Sequence, residues 1–331
     1  MKNRIGLGFA FLIVLVFSLC FISLAMGSVW VSWRDFFYGI VSGPSPLNAE
    51  SSVSSQILWH LRIPRTCAAV LAGVSLSVSG LSLQTVFRNP LAGPFVLGIS
   101  SGASLGVALT LLLGVSFGHF GVLGGAAVGA IAVTTVILWV SRRFRNLGIL
   151  LIVGLLLGYL IDAVISILIA GSSAEALRVY VAWGMGSFSR LTLESIWIFA
   201  VAVFIGLALV ITNVRYLNAA RLGDDFARGL GINVDFSKNL VLLGASILAA
   251  SCTAFCGPVA FVGIAVPHFA FMLFKTTNNR ILLPGAALCG IALCLAAGLF
   301  PVSIPLNAVL SIVGVPVIMW VLVRSSKFWK L

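Results

Sequence analysis

Charge is what this sequence has least of. Its 331 residues include 8 Asp and Glu and 20 Lys and Arg, so 8% of the chain is charged. Soluble domains run near 25%. So few ionic groups cannot cover a water-facing surface of this size, which excludes a soluble globular enzyme and a disordered chain. Cysteine is present without a pattern. Cys20, Cys67, Cys252, Cys256, Cys289 and Cys294 all fall in apolar stretches, no CxxC pair occurs, and no carboxylates stand nearby to complete a metal site. A secreted disulfide scaffold is excluded with them, and small apolar packing is the role these thiols fit. Enzyme signatures are missing too: there is no GxxxxGK[ST], no HExxH and no GxSxG. His60, His119 and His268 lie on three separate segments. No catalytic residue, metal site or cofactor is therefore expected.

What is there is apolar: 60% of the residues are hydrophobic and the mean hydropathy is +1.17. Ten segments are candidates for bilayer crossing: about 5–27, 64–84, 93–113, 120–141, 147–170, 191–212, 240–256, 258–274, 281–300 and 305–323. The expected fold is an all-α polytopic membrane protein, one transmembrane domain over 1–331. The first segment starts basic, but its long core and lack of a small-residue cleavage site mark a retained span rather than a signal peptide. The net charge of +12 is an orientation signal and not a nucleic-acid footprint. With the N-terminus inside, fifteen Lys and Arg fall in the cytoplasm and five, Arg34, Arg62, Arg65, Arg178 and Arg190, fall outside. Ten spans return the C-terminus, with Arg324, Lys327 and Lys330, to the cytoplasm.

Two short stretches echo each other. GPFVLGI at 93–99 opens the third segment and GPVAFVGI at 257–264 opens the eighth. These segments run in opposite directions, as in an inverted-topology repeat. Asp162 is the only acid deep inside a segment. An intramembrane carboxylate by default marks function, though it can also be paired within a bundle. A proton-coupled carrier using Asp162 is the alternative class, weakened by the want of further acids.

Three other stretches differ from lipid-facing spans. In LRIPRT, Arg62 and Arg65 stand three apart, on one face if the helix starts this early, with Pro64 suited to a helix start. They either grip carboxylates of a partner or anchor the span at the headgroups. In residues 86–106, Asn89-Pro90 breaks a helix, and Gly93, Gly98, Ser100, Ser101, Gly102, Ser104 and Gly106 form a small-residue run, fit for close helix packing or for passage of a solute. The longest inner loop, 213–239, holds RLGDDFARGLGINV. Leu222, Phe226 and Leu230 recur at a spacing of four, with Asp224, Asp225 and Arg228 on other faces. This predicts a short amphipathic helix at about 221–231 ended by Gly229 or Gly231. Its mixed charge suits a protein partner better than anionic lipid.

Together these stretches resemble the membrane permease family of type II ABC importers, which take up iron–siderophore complexes, haem and cobalamin. The resemblance covers nearly the whole chain. It rests on RIPRT, SGLSLQTVFRNPLAGPFVLGISSGASLG, AWGMGSFS, LGDDFARGLGI, CGPVAFVGIAVPHFAF and PLNAVLSIVGVPVIMWVLVR. It implies ten spans per subunit and a dimer of permeases, homomeric or with a sister permease, with the path at their interface. Two cytoplasmic ATPases and one periplasmic or lipoprotein binding protein complete the assembly in the bacterial cytoplasmic membrane. Carried over by motif, Arg62 and Arg65 dock the binding protein, and Asn89, Pro90 and Leu91 sit near the cytoplasmic gate. Leu222, Gly223, Asp224, Asp225, Phe226, Ala227, Arg228, Leu230 and Gly231 belong to the helix that couples to the ATPase. Two departures stand out. LAAGLFPVSIPLN lacks the family's charged Asp…Arg stretch before the last span. Pro267-His268-Phe269-Ala270-Phe271 lacks the family's Arg, so a structural role is expected for His268.

Overall fold

The computed structural model describes residues 2–27, 33–43, 53–115, 121–143, 147–301 and 303–324. Among them every regular element is helical. Arg145, Lys327 and Lys330 of the charge pattern lie outside the described residues, as does much of the outer loop after Gly27.

Helix α1 (Lys2–Ala25) is followed by two short helices, α2 (Trp33–Ser42) and α3 (Val53–Ile57). A π-helical turn over Leu58–Arg62 joins α3 to α4 (Ile63–Phe87), so one helix winds from Val53 to Phe87. The sequence expectation began this span at 64, on the strength of Pro64. The chain instead enters Pro64 already helical, and the wider π turn stands where the proline ring would otherwise meet the carbonyl four residues back. Helices α5 (Ile99–Leu113), α6 (Gly121–Arg143) and α7 (Leu147–Ala170) come next, then the short α8 (Ala174–Gly184). A 3-10 turn at Phe188–Arg190 leads to α9 (Leu193–Thr212), which starts on a capping box between Thr192 and Ser195. The loop helices α10 (Val214–Ala220) and α11 (Asp224–Gly229) precede α12 (Val234–Cys256), α13 (Val262–Phe274), α14 (Asn279–Gly298) and α15 (Leu306–Arg324).

Each of the ten apolar segments holds one apolar helix. Seven are long and apolar enough to cross a bilayer, and Ile99–Leu113 and Val262–Phe274 are shorter. Both short ones follow the echoed Gly-Pro motifs. The chain after Pro94 and after Pro258 is irregular, and each helix begins just after a left-handed residue, Gly98 (φ 70°) or Phe261 (φ 65°). The echo is thus one of backbone shape as well as of sequence. Expected spans 93–113 and 258–274 shorten because the left-handed backbone at Gly98 and Phe261 excludes continuous helix through them.

Helices α4 and α12 form the enclosed centre, and α1, α7 and α9 lie at the periphery. Lipid tails are as apolar as leucine, so burial alone does not hold such helices together; close contact and hydrogen bonds do. Glycines pair at several helix contacts: Gly80 on Gly263, Gly73 on Gly290, Gly102 on Gly129, Gly106 on Gly125, and Gly206 on Gly244. A methyl group at any of these positions but Gly263, where the contact is only tight, would strike backbone or side-chain atoms across the crossing. Gly102 and Gly106 therefore serve helix packing, one of the two roles open to the small-residue run. Hydrogen bonds supplement the crossings. Ser79 donates to the Ala245 carbonyl at 2.7 Å, and the Gln84 amide donates to the Ile264 carbonyl at 3.1 Å.

Candidate functional site

The predicted gate residues form a fixed turn. Arg88 ends α4 in the left-handed region (φ 48°), and Asn89 N–H donates back to the Gln84 carbonyl. The Asn89 side-chain oxygen then accepts from Leu91 N–H at 2.9 Å, an Asx turn that fixes the path around Pro90. His268, buried on α13, holds its Nε2 at 3.3 Å from the Pro90 carbonyl, to which the ring N–H donates. His268 thus ties this turn to α13.

The loop at 213–239 lies against the same end of the bundle. The sequence predicts one helix at about 221–231; the structure divides the loop into α10 and a shorter α11. Gly223 (φ 113°) breaks the chain before Asp224, and Gly231 (φ 75°) turns it after Leu230, two conformations that exclude continuous helix. Ala227 is buried, whereas Leu222, Phe226 and Leu230 are 69%, 48% and 61% exposed. The apolar ridge read from the sequence is therefore present and uncovered, although Leu222 and Leu230 flank the helix rather than lie on it. Asp225 accepts from Arg228 at 3.0 Å. Asp224 accepts from Arg88 at 3.3 Å, which fastens α11 to the gate turn. Beneath, burial is the main cause that raises the Tyr216 phenol pKa, with the nearby Asp224 charge second. Burial also lowers the pKa of Arg221. A polar bridge reaches the start of α14: Asn218 donates to the Asn278 side chain at 3.2 Å and accepts from Asn279 N–H at 2.7 Å.

At the far end the two arginines of RIPRT are brought to helix termini. Arg62 is buried and its Nη1 donates to the Leu24 and Ala25 carbonyls at 2.8 and 2.7 Å, the last of α1. Arg65 Nη2 donates to Gly298 at 2.6 Å, the last residue of α14, and to Phe300 at 2.8 Å. Arg190 does the same for α8, with Nη2 on Ala182 at 2.6 Å and Nη1 on Trp183 at 3.0 Å. Burial lowers the Arg190 pKa. Helix C-termini leave carbonyls unpaired and carry partial negative charge, so a guanidinium meets both demands. Asn307, at the start of α15, accepts from Ala260 N–H at 3.0 Å and donates to Pro258 at 2.7 Å and Gly184 at 3.3 Å. It clips the second Gly-Pro turn to the end of α8.

Sequence reasoning missed Arg88, Arg190 and Asn307. Arg88 was counted only as an inner charge; in a chain so poor in charge, its position one residue before Asn89-Pro90 was the available signal. Arg190 and Asn307 carried none, because the helix ends they serve are distant in sequence. Asp162 is exposed on α7, and its carboxylate makes no hydrogen bond or ion pair among the described residues. No group of three or more His, Cys, Asp or Glu close enough to hold a metal occurs among them either.

A bundle of ten apolar helices, two of them preceded by Gly-Pro turns, with an exposed loop helix fastened to one end, defines a multi-pass membrane permease. The chain belongs to the FecCD transport family, which matches residues 13–324. It is 33% identical to the hemin transport system permease protein HmuU of Yersinia pestis, over 98% of this chain and 97% of that one. It is 32% identical to the vitamin B12 import system permease protein BtuC of Salmonella newport, over 95% of this chain and 94% of that one. It is also 32% identical to the uncharacterized ABC transporter permease protein YvrB of Bacillus subtilis, over 97% and 93%. A solved inward-facing conformation of a metal-chelate type ABC transporter matches its fold with a TM-score of 0.78 at 25% identity, over 96% of this chain and 99% of the other. The protein is therefore an ABC importer permease, a transport subunit rather than an enzyme. Membership implies an ATPase partner, a substrate-binding protein and dimerisation. The proton-driven alternative built on Asp162 loses its ground, since the family draws its energy from the ATPase.

Proposed function

We propose that this chain, as one permease domain over 1–331, moves a metal chelate across the bacterial cytoplasmic membrane with both termini in the cytoplasm. An iron–siderophore complex is the leading cargo, and haem and cobalamin are the alternatives. The full-length match to permeases named for hemin and for vitamin B12 supports the cargo class. The observation that carries the working direction is the uncovered Leu222–Phe226–Leu230 ridge, fastened by Arg88–Asp224 to the turn at Asn89, Pro90 and Leu91. A ridge of that kind fits a cleft on a cytoplasmic ATPase dimer, and its attachment hands motion to the gate turn. No covalent chemistry by the permease is involved.

Docking of the binding protein belongs to the opposite end. Arg65 is partly exposed and its Nη2 holds the α14 terminus, while Arg62 acts from beneath by holding the end of α1. Docking through Arg62 and Arg65 thus combines one partly exposed cation with one that shapes the surface. The test is to purify the chain with its ATPase and binding protein from the native membrane and identify the bound ligand by absorption and mass spectrometry. A metal chelate is expected; an amino acid, sugar or peptide would overturn the cargo class.

A further inference from the structure

Helix α7 crosses the membrane with one buried face and a broad exposed one. Leu150, Gly154, Ile161 and Ile165 are buried against the bundle. Leu156, Leu160, Val164 and Ile167 form an exposed and wholly apolar row. On the flank between them, at i, i+3 and i+7, Tyr159, Asp162 and Ser166 are also exposed, with Leu155 beside them. Asp162 is the one charged side chain of α7, and it stands on the exposed side of the helix.

Asp162 settles what this flank meets. It lies eight residues before the end of α7 at Ala170, about 12 Å along the axis at 1.5 Å per residue. A carboxylate has too short a stem to reach the headgroups from that depth, as Lys and Arg can. Ionisable groups inside spans face a bundle interior or a water-filled cavity, not lipid. The bundle interior is excluded by exposure: no described side chain forms an ion pair or hydrogen bond with the carboxylate, and the Ser166 hydroxyl bonds to the Asp162 main-chain carbonyl instead. The Tyr180 phenol on the short helix α8 is pushed up to about 12, by burial first and by Asp162 second.

We propose that the row of Tyr159, Asp162 and Ser166 lines the water-filled transport path, and that Asp162 selects for chelates bearing a protonated amine or other cationic group over anionic ones. This rests on the importer-subunit reading above, since the path needs a second permease copy to close it. With two identical copies, two carboxylates would face the passing solute. Tyr159 and Ser166 would supply neutral hydroxyl contacts above and below them. Leu156, Leu160, Val164 and Ile167 would remain in lipid.

The experiment uses the complete importer in proteoliposomes, with the six native cysteines replaced and single cysteines introduced as Tyr159→Cys, Ser166→Cys, Leu156→Cys and Leu160→Cys. Each is reacted with a cationic trimethylammonium-ethyl and an anionic sulfonatoethyl methanethiosulfonate. Positions 159 and 166 should react far faster than 156 and 160. The ratio of cationic to anionic rates at Ser166→Cys should fall by about tenfold when Asp162→Asn is added, the size expected of one unit charge within about 6 Å in a wet site. Equal rates on the two rows, or a ratio indifferent to Asp162→Asn, would overturn the proposal. If the cysteine-free background does not fold, a water-soluble carbodiimide with glycine methyl ester is applied to the unmutated importer. Modification of Asp162 found by peptide mass spectrometry supports the proposal, and an unmodified Asp162 overturns it. Retention of the ATPase in the same preparations separates failure of this inference from failure of the importer reading.

Discussion

Arg88 and Asp224 stand 3.3 Å apart and join the end of α4 to the first turn of α11. Both are partly exposed, at 44% and 22% of their side-chain surface. Exposed pairs of this kind add about 0–1 kcal/mol to stability. The contact therefore matters less for holding the fold than for fixing where the loop helix sits, and the acid also suits the positive N-terminal end of α11.

The first prediction follows from that pair. Arg88→Gln should leave the melting temperature of the purified permease nearly unchanged and lower ATP-driven uptake several-fold with the ATPase still bound. The charge reversal Arg88→Asp with Asp224→Arg should recover part of the loss. Uptake measured alongside ATPase retention in the single and double variants checks it.

The exposed ridge gives a second. Phe226→Ala with Arg228→Ala removes the one ridge side chain that lies on α11 and the partner of Asp225. The double variant should fold, since neither residue is buried, and should uncouple ATP hydrolysis from transport or release the ATPase. Unchanged uptake and unchanged ATPase retention would remove α11 from the coupling role.

A third concerns the arginines at helix ends. Replacing Arg62 by Gln takes a donor from two α1 carbonyls, and replacing Arg190 takes one from two carbonyls of α8. Each loss should destabilise by about 1–3 kcal/mol, the cost of leaving such groups unpaired. Thermal unfolding in detergent measures it. Arg65→Glu should in addition weaken binding-protein affinity, which surface-immobilised binding-protein titrations can follow.

The glycine crossings give a fourth. Gly80→Val would drive a side chain into the Gly263 backbone of α13 and should abolish accumulation of folded protein in the membrane. Gly6→Ala, on α1 with nothing within 4 Å, should leave accumulation unchanged or slightly raised. Quantitative membrane blots of the two variants against the unaltered chain decide it.

Those crossings also show where sequence reading succeeds and stops. Ten apolar stretches could be marked because hydropathy is a local property, and each contains a helix. The ridge of Leu222, Phe226 and Leu230 was legible from its spacing of four, because helix periodicity is local too. The extent of α11 was not, since it turns on Gly223 and Gly231 adopting conformations that glycine permits but does not require. Arg62 and Arg65 could be picked out as unusual, yet the termini they hold belong to α1 and α14, and Arg65 meets Gly298 across most of the chain. Nothing local encodes that meeting. The same holds for Arg88 with Asp224 and for Asn307 with Pro258: a residue type can be read, but its partner is chosen by the packing of helices.

The most direct measurement is uptake of the identified chelate into proteoliposomes carrying this chain, with its ATPase inside and its binding protein outside. Uptake should require ATP and all three components, and an imposed pH gradient without ATP should drive none. Uptake by this chain alone, driven by the pH gradient and lost in Asp162→Asn, would contradict the importer mechanism.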